Sequence, residues 1–272
     1  MTVRITTTVL VLVKAAPQPS STYGETVCVA GLEGPAERPS WLRLYPVPFR
    51  YLDGERQFRK YDLVEVATRD AGGDKRPESR KITADSIKIN ANLKSWASRA
   101  TWVERATGPS MCALQAGVRE NLNATSLAAV RPSQVDDLEF LAHPGWTKEQ
   151  LKRFQDYQSQ GSLFDEIPLP LLHPPRFRVR LHYRCEDRRC GGHEQTIIDW
   201  ELSALQAKYR RDTDQALKAA VTRNFLSNPF AAHKEPLLFV GNQEDVRKRA
   251  AFTVLGLYYP ARAEAEQART LF

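Results

Sequence analysis

The densest group of chemistry-bearing side chains lies in HYRCEDRRCGGHE, where Cys185, Cys190 and His193 follow as cysteine, four residues, cysteine, two residues, histidine. Thiolate and imidazole ligands at such short spacing suit tetrahedral zinc. Gly191 and Gly192 let the backbone turn so that His193 can face Cys190. His182, three residues before Cys185, is the expected fourth ligand, although strand alternation points it away from that cysteine. His233 or Glu186 can stand in for it. The alternative is a buried pair of thiols beside a surface histidine. Just downstream, Glu194, Asp199 and Glu201 join His193 in a run of acid–base groups. Nucleases gather such carboxylates around magnesium or manganese, so His193, Asp199 and Glu201 are the candidate catalytic residues. The competing reading is that these are solvated acids near a turn, and Asp199 and Glu201 share a face only in a strand.

A second kind of chemistry is suggested nearer the start of the chain. Trp41, Tyr45, Phe49, Tyr51, Phe58 and Tyr61 alternate with Arg43, Arg50, Arg59 and Lys60, and Arg76, Arg80 and Lys81 follow. Aromatic faces stack on bases, and guanidinium groups neutralise phosphates. Nucleic acid is the expected partner, with Trp41 and Tyr45 stacking and the cations on phosphates. The alternative is that the aromatics form a core that the arginines solvate. A further basic run lies on Arg176–Tyr183, where Phe177, Val179 and Leu181 alternate with Arg176, Arg178, Arg180 and His182. Either this face is simply solvated or it is a ligand surface; three like charges on one strand face repel, so Arg178 and Arg180 are expected to meet an anionic ligand.

The elements that must position these groups divide the chain. Strands are expected at Thr7–Val13, Glu25–Ala30, Trp41–Tyr45 and Tyr61–Ala67, separated by Pro, Gly and Ser turns. Residues 93–160 read as a helical connector, ending in a capping box at Thr147 and Gln150. Residues 161–175 hold four prolines and read as a linker. Residues 176–272 read as an α+β domain: the arginine strand, the Cys/His cluster, an amphipathic helix over Ala204–Phe225, strands in PLLFVGN and AFTVLGLYYP, and a terminal helix. In GNQEDVRKR, Asn242 either reads a base edge or closes a hairpin. The expected fold class is α+β, with a β-rich small barrel over 1–92 and a mixed C-terminal part.

Composition agrees with a folded, basic protein. The 272 residues carry a formal net charge of +7, with 42% hydrophobic and 26% charged residues. The excess of cations favours polyanions and is spread through the predicted elements. The opening MTVRITTTVLVLVK has too short an apolar core for an export signal, and no segment reaches the length of a membrane span. Four cysteines, two of them far from any partner in sequence, argue against a disulfide framework. The reading is cytoplasmic.

Within residues 24–47, GETVCVAGLE followed by WLRLYPV resembles the opening of the dual oligonucleotide-binding-fold domains of bacterial and archaeal proteins. Cys28, Ala30, Gly31, Trp41, Arg43 and Pro46 occupy the matching places, although Leu44 and Tyr45 separate the arginine from the proline. The resemblance covers about the first quarter of the chain. It implies a small β-barrel whose groove is lined by Trp41, Arg43, Tyr45 and Arg50, and binding in bacterial defence or DNA repair, without implying a reaction. QGSLF at Gln160–Phe164 and QARTLF at Gln267–Phe272 also look like peptides that dock on the bacterial sliding clamp. Three functions are therefore expected in turn: a nucleic-acid-binding protein, a metal-dependent nuclease or base-processing enzyme, and a scaffold recruited to the clamp.

Overall fold

The computed structural model describes residues 5–161 and 172–270. Most of the proline-rich linker, Ser162–Phe164 of the first clamp-like peptide and Leu271–Phe272 of the second lie outside the described residues.

Strands β1 (Ile5–Lys14), β3 (Gly24–Glu33), β4 (Ser40–Val47), β5 (Asp62–Asp70) and β6 (Ser79–Ile82) form a barrel in the order β1-β3-β4-β6-β5. It is closed by antiparallel pairing of β1 with β5. The short β2 (Gln18–Ser20) pairs with β3, and β7 (Lys88–Asn92) pairs with β5. Helices α1 (Trp96–Val103) and α2 (Met111–Glu120) lead into β8 (Leu127–Val130) and β9 (Pro132–Ala142). Then come α3 (Lys148–Gly161), β10 (Phe177–Cys185), β11 (His193–Thr196), α4 (Trp200–Lys208), α5 (Asp214–Thr222), β12 (Leu237–Asn242), β13 (Phe252–Tyr258) and α6 (Arg262–Thr270). The C-terminal strands make two three-stranded sheets, β11-β10-β9 and β13-β12-β8. The expected α+β class with an N-terminal barrel and a mixed C-terminal part is the architecture observed.

The unbroken apolar run Val9–Val13 has a simple cause: this part of β1 is covered on both faces. Val9 and Val11 point into the barrel with Val27, Val29, Leu42 and Val66. Leu10 and Leu12 point outward onto Leu127, Leu237, Phe239 and Leu255 of the β13-β12-β8 sheet. That sheet is itself buried on both sides, since Ala128, Val130, Leu238, Val240 and Val254 face the core shared with β9-β10-β11 and helices α2, α4 and α5. Gly31 has to be glycine here, because a Cβ would lie 2.3 Å from the Leu10 carbonyl oxygen. Three layers of apolar side chains run without interruption from the barrel interior to the far sheet.

Two expectations are corrected. Residues 93–160 are not a helical connector. Their SLAAVRPSQVDDLEF stretch forms β8 and β9, because all four residues of β8 are buried in a sheet with two covered faces and β9 pairs along the whole of β10. The helix expected over Ala204–Phe225 is two helices. The chain leaves α4 after Lys208 and restarts at α5 when the Thr213 side chain caps the Ala216 amide at 3.2 Å. The predicted capping box at α3 is formed, with Thr147 and Gln150 each accepting the other's backbone amide.

Candidate metal centre and basic cleft

Cys185 closes β10, Cys190 sits in the following loop, and His193 opens β11. Alternation along β10 places Cys185 on the core face with Val179, Leu181 and Tyr183. Gly192, at φ +108°, supplies the left-handed turn that brings His193 back over Cys190. The fourth corner comes from elsewhere. Cys112, second residue of α2, lies with its sulfur 3.6 Å from Cys185 Sγ. His193 Nε2 stands 3.3 Å from Cys190 Sγ, 3.4 Å from Cys185 Sγ and 3.5 Å from Cys112 Sγ. All four ligand atoms fall within 4.8 Å of one another, so this Cys3His group could hold a metal ion such as zinc.

The spacing fits that ion. Bonds of about 2.3 Å to sulfur and about 2.0 Å to nitrogen give a tetrahedron with edges of roughly 3.5–3.8 Å. It does not fit a disulfide, whose sulfurs stand at about 2.05 Å, and all four cysteines of the chain are free. The electrostatics point the same way. Burial alone would raise the Cys185 thiol, but the Cys112 and Asp187 amides and His193 outweigh it and bring it down to about 6. Burial and the neighbouring sulfurs push Cys112 up to about 12. Sulfurs this close cannot all ionise without a cation between them.

His182 is not part of this group. It lies on the opposite face of β10, with Nδ1 3.2 Å from Asp137 and Nε2 3.7 Å from Glu139 on β9. The signal for Cys112 in the sequence was slight: once His182 was turned away by alternation, Cys28 and Cys112 were the remaining sulfurs.

At the other end of β10 lies a cleft of about 850 Å³. Its walls are the Trp146 loop before α3, the Phe177 end of β10, and α4 with the turn after it. Trp146, Phe177, Ile198, Trp200 and Leu202 give it an apolar interior. Arg50, Arg176, Arg178, Lys208, Arg210 and Arg211 line it, and no aspartate or glutamate does among the described residues. Arg50 is held by Glu25 at 2.6 Å and Arg176 by Asp214 at 3.1 Å. His143 is pushed down by burial and then by Arg178, which leaves it neutral at pH 7.

Residues 106–272 match the family model described as "Domain of unknown function (DUF8757)", and residues 5–105 match the one described as "Domain of unknown function (DUF8758)". The chain belongs to the DUF8757 family. No curated protein matches it. The metal group lies wholly in the DUF8757 region, and so does nearly all of the cleft, with Ala16, Pro17, Gln18 and Arg50 contributed by the barrel.

The basic residues expected to bind nucleic acid are not gathered in one place. Arg43 is buried at 3% exposure and donates to the Ser126 carbonyl and hydroxyl at 3.1 and 2.9 Å. Arg76 is buried too, paired with Asp74 at 2.7 Å and donating to the Asn242 carbonyl at 2.7 Å. Both arginines hold the barrel to β8 and β12, and neither can reach a phosphate. Asn242 is likewise buried, which removes it as a reader of bases. Trp41 packs edge-on against Phe239, with its indole N–H on the Ala106 carbonyl. Lys60 donates to the Leu257 carbonyl at 3.0 Å beside Glu201. Arg80 turns back on the Pro77 and Ser79 carbonyls, and Lys81 is half-buried beside it. Arg180 is neutralised by Glu139 at 3.3 Å and Glu194 at 3.8 Å. Tyr45, Arg59 and Arg178 are exposed.

The candidate catalytic set is divided, with Asp199 and Glu201 lining one small pocket and His193 elsewhere. His193 belongs to the sulfur group, and Asp199 and Glu201 belong to no metal-holding group among the described residues. Asp199 is buried and caps α4 through the Glu201 amide at 2.8 Å, while Glu201 is exposed. Burial, outweighing the pull of Lys60, raises the Asp199 carboxyl to about 6. No helix among the described residues is long and apolar enough to cross a membrane.

Proposed function

We propose that this protein binds nucleic acid through the basic cleft beside β10 and that its Cys3His group carries a structural zinc. The observation that supports binding is the cleft's lining: six arginines and lysines with no acidic side chain among the described residues, around an apolar interior. Among the described residues Arg178, Lys208, Arg210 and Arg211 have no ion-pair partner, unlike Arg76 beside Asp74 in the barrel. Cations left together without counter-charges gain most from a polyanion, and binding of that kind releases counterions. Zinc, when bound, would tie α2 to β10 and β11 through Cys112, Cys185, Cys190 and His193. All four positions are protein side chains, so the ion is structural and leaves no open position for substrate.

The test is a fluorescence-anisotropy titration of the purified protein with labelled polynucleotide at two salt concentrations, with elemental analysis of the same preparation. We expect one zinc per chain and an affinity that falls with the logarithm of salt at a slope of about 0.7–0.9 per neutralised phosphate. Absence of binding at low salt overturns the functional reading, and absence of zinc from protein purified without chelators overturns the metal assignment.

A further inference from the structure

Resting on that reading, we infer that the cleft receives an unpaired strand, seating one or two nucleotides with a base inside and phosphates at the rim, and that a duplex is excluded. The shape is the first reason. The protein offers a concavity of about 850 Å³, within the range of pockets that enclose a small organic molecule. Duplex DNA is read the opposite way, by a protein element that enters its groove. A duplex laid over this cleft would present only phosphates and would leave Trp146, Phe177 and Leu202 facing no ligand atom. An unstacked nucleotide matches both zones, a planar apolar body and an anionic backbone.

The arrangement of side chains is the second reason. The Trp146 indole N–H is fixed on the Leu172 carbonyl at 2.8 Å, and its ring meets His143 and Phe154 edge-on, at 5.7 and 6.3 Å between centroids. Edge contacts hold the ring in place without covering it by a parallel neighbour. Arg210 and Arg211 lie exposed in the turn after α4, and Arg178 is exposed on β10. Arginine's planar fork suits phosphate oxygens, and three of them around one rim can follow a flexible backbone. The contacts are to base faces and backbone, so the site is tolerant of sequence.

The experiment compares labelled 12-mer single-stranded DNA, single-stranded RNA and the matching duplexes by anisotropy, using the full chain. Wild type is expected to bind single strands at least about tenfold tighter than duplex. Trp146→Ala should weaken single-strand binding by about 5- to 150-fold, the range of one lost base stack, with Trp146→Phe restoring most of it. The double variant Arg210→Ala/Arg211→Ala, in an exposed turn, should keep the wild-type Tm and lower the salt slope by about 1.4. The DNA and RNA arms decide which sugar is preferred, and either preference supports the inference. Duplex bound as tightly as single strands, or single-strand binding unmoved by the double variant, overturns it while leaving nucleic-acid binding intact. No binding of any polynucleotide at low salt overturns both.

Discussion

The two arginine-rich regions of this molecule look alike in sequence and do opposite things in the structure. In the barrel, Arg43 and Arg76 are buried with every strong partner inside the protein: Ser126, Asp74 and the Asn242 carbonyl. Around the cleft, Arg178, Arg210 and Arg211 are exposed, and among the described residues they meet no carboxylate. The difference lies in what crosses over from the rest of the chain. Glu78 accepts from the Ser126 amide and hydroxyl at 2.8 and 2.6 Å, so Arg43 meets a polar knot already assembled between barrel and sheet. Arginine next to aromatics in sequence is here a sign of burial. The discriminating feature is whether a counter-charge or carbonyl is built beside it.

Metal loss should have the largest effect, because the Cys3His group joins α2 to the end of β10, and the other end of that strand carries the cleft. Stripping zinc, or replacing Cys112→Ser, should lower Tm by about 10 °C or more and weaken polynucleotide binding with it. Cys28→Ser, in the barrel and outside the group, should leave the zinc content at one per chain. Equal zinc in both variants would break the assignment of Cys112.

Next in size is Arg43→Ala. It removes the two charge-assisted hydrogen bonds to buried Ser126, at a cost of about 3 kcal/mol. Chemical denaturation should show that loss, while the folded fraction binds polynucleotide as wild type does. A loss of affinity without a loss of stability would return Arg43 to the binding surface and undo the contrast between the two regions.

Much of this was legible in the residues. The alternation of Arg176–Tyr183 correctly separated a core face from a charged face, and the same alternation argued against His182 as a ligand. The Cys–x4–Cys–x2–His spacing disclosed three members of the Cys3His group. The fourth was hidden because Cys112 is 73 residues from Cys185 and only the packing of α2 brings it near. The fate of the barrel arginines was hidden for the same reason, their partners Ser126 and Asn242 lying 83 and 166 residues away. The cleft is hidden because Arg210 and Arg211 fall inside the helical pattern over Ala204–Phe225, whereas they occupy the turn that Thr213 ends. Single-strand periodicity reports which face is wet. It does not report which distant group arrives to dry it.

A smaller effect tests the seam between the regions. Asp199 is buried where α4 meets the barrel, its backbone bridged to Ala15, and its carboxyl sits at about 6 against 3.8 for an ordinary aspartate. The folded protein thus holds that proton more tightly than the unfolded chain. The stability this confers is complete below pH 3.8 and is lost as pH rises through about 6. Asp199→Asn, which can still cap α4, should flatten that part of the pH profile by about 2–3 kcal/mol. An unchanged slope would place the titration elsewhere.

The smallest expected effect on stability is the most telling for function. Arg211→Ala alters an exposed side chain after α4 that has no ion-pair partner among the described residues, so its unfolding free energy should change by less than about 0.5 kcal/mol. Its affinity for polynucleotide should nevertheless fall, and the salt slope with it, by about 0.7 for the one phosphate released. Arg43→Ala and Arg211→Ala then form a crossed pair, one costing stability without binding and the other binding without stability. Evolution toward a tighter barrel would keep the first arginine whatever the ligand. Three arginines line one cleft without an ion-pair partner among the described residues, and a bound polyanion would relieve their mutual repulsion.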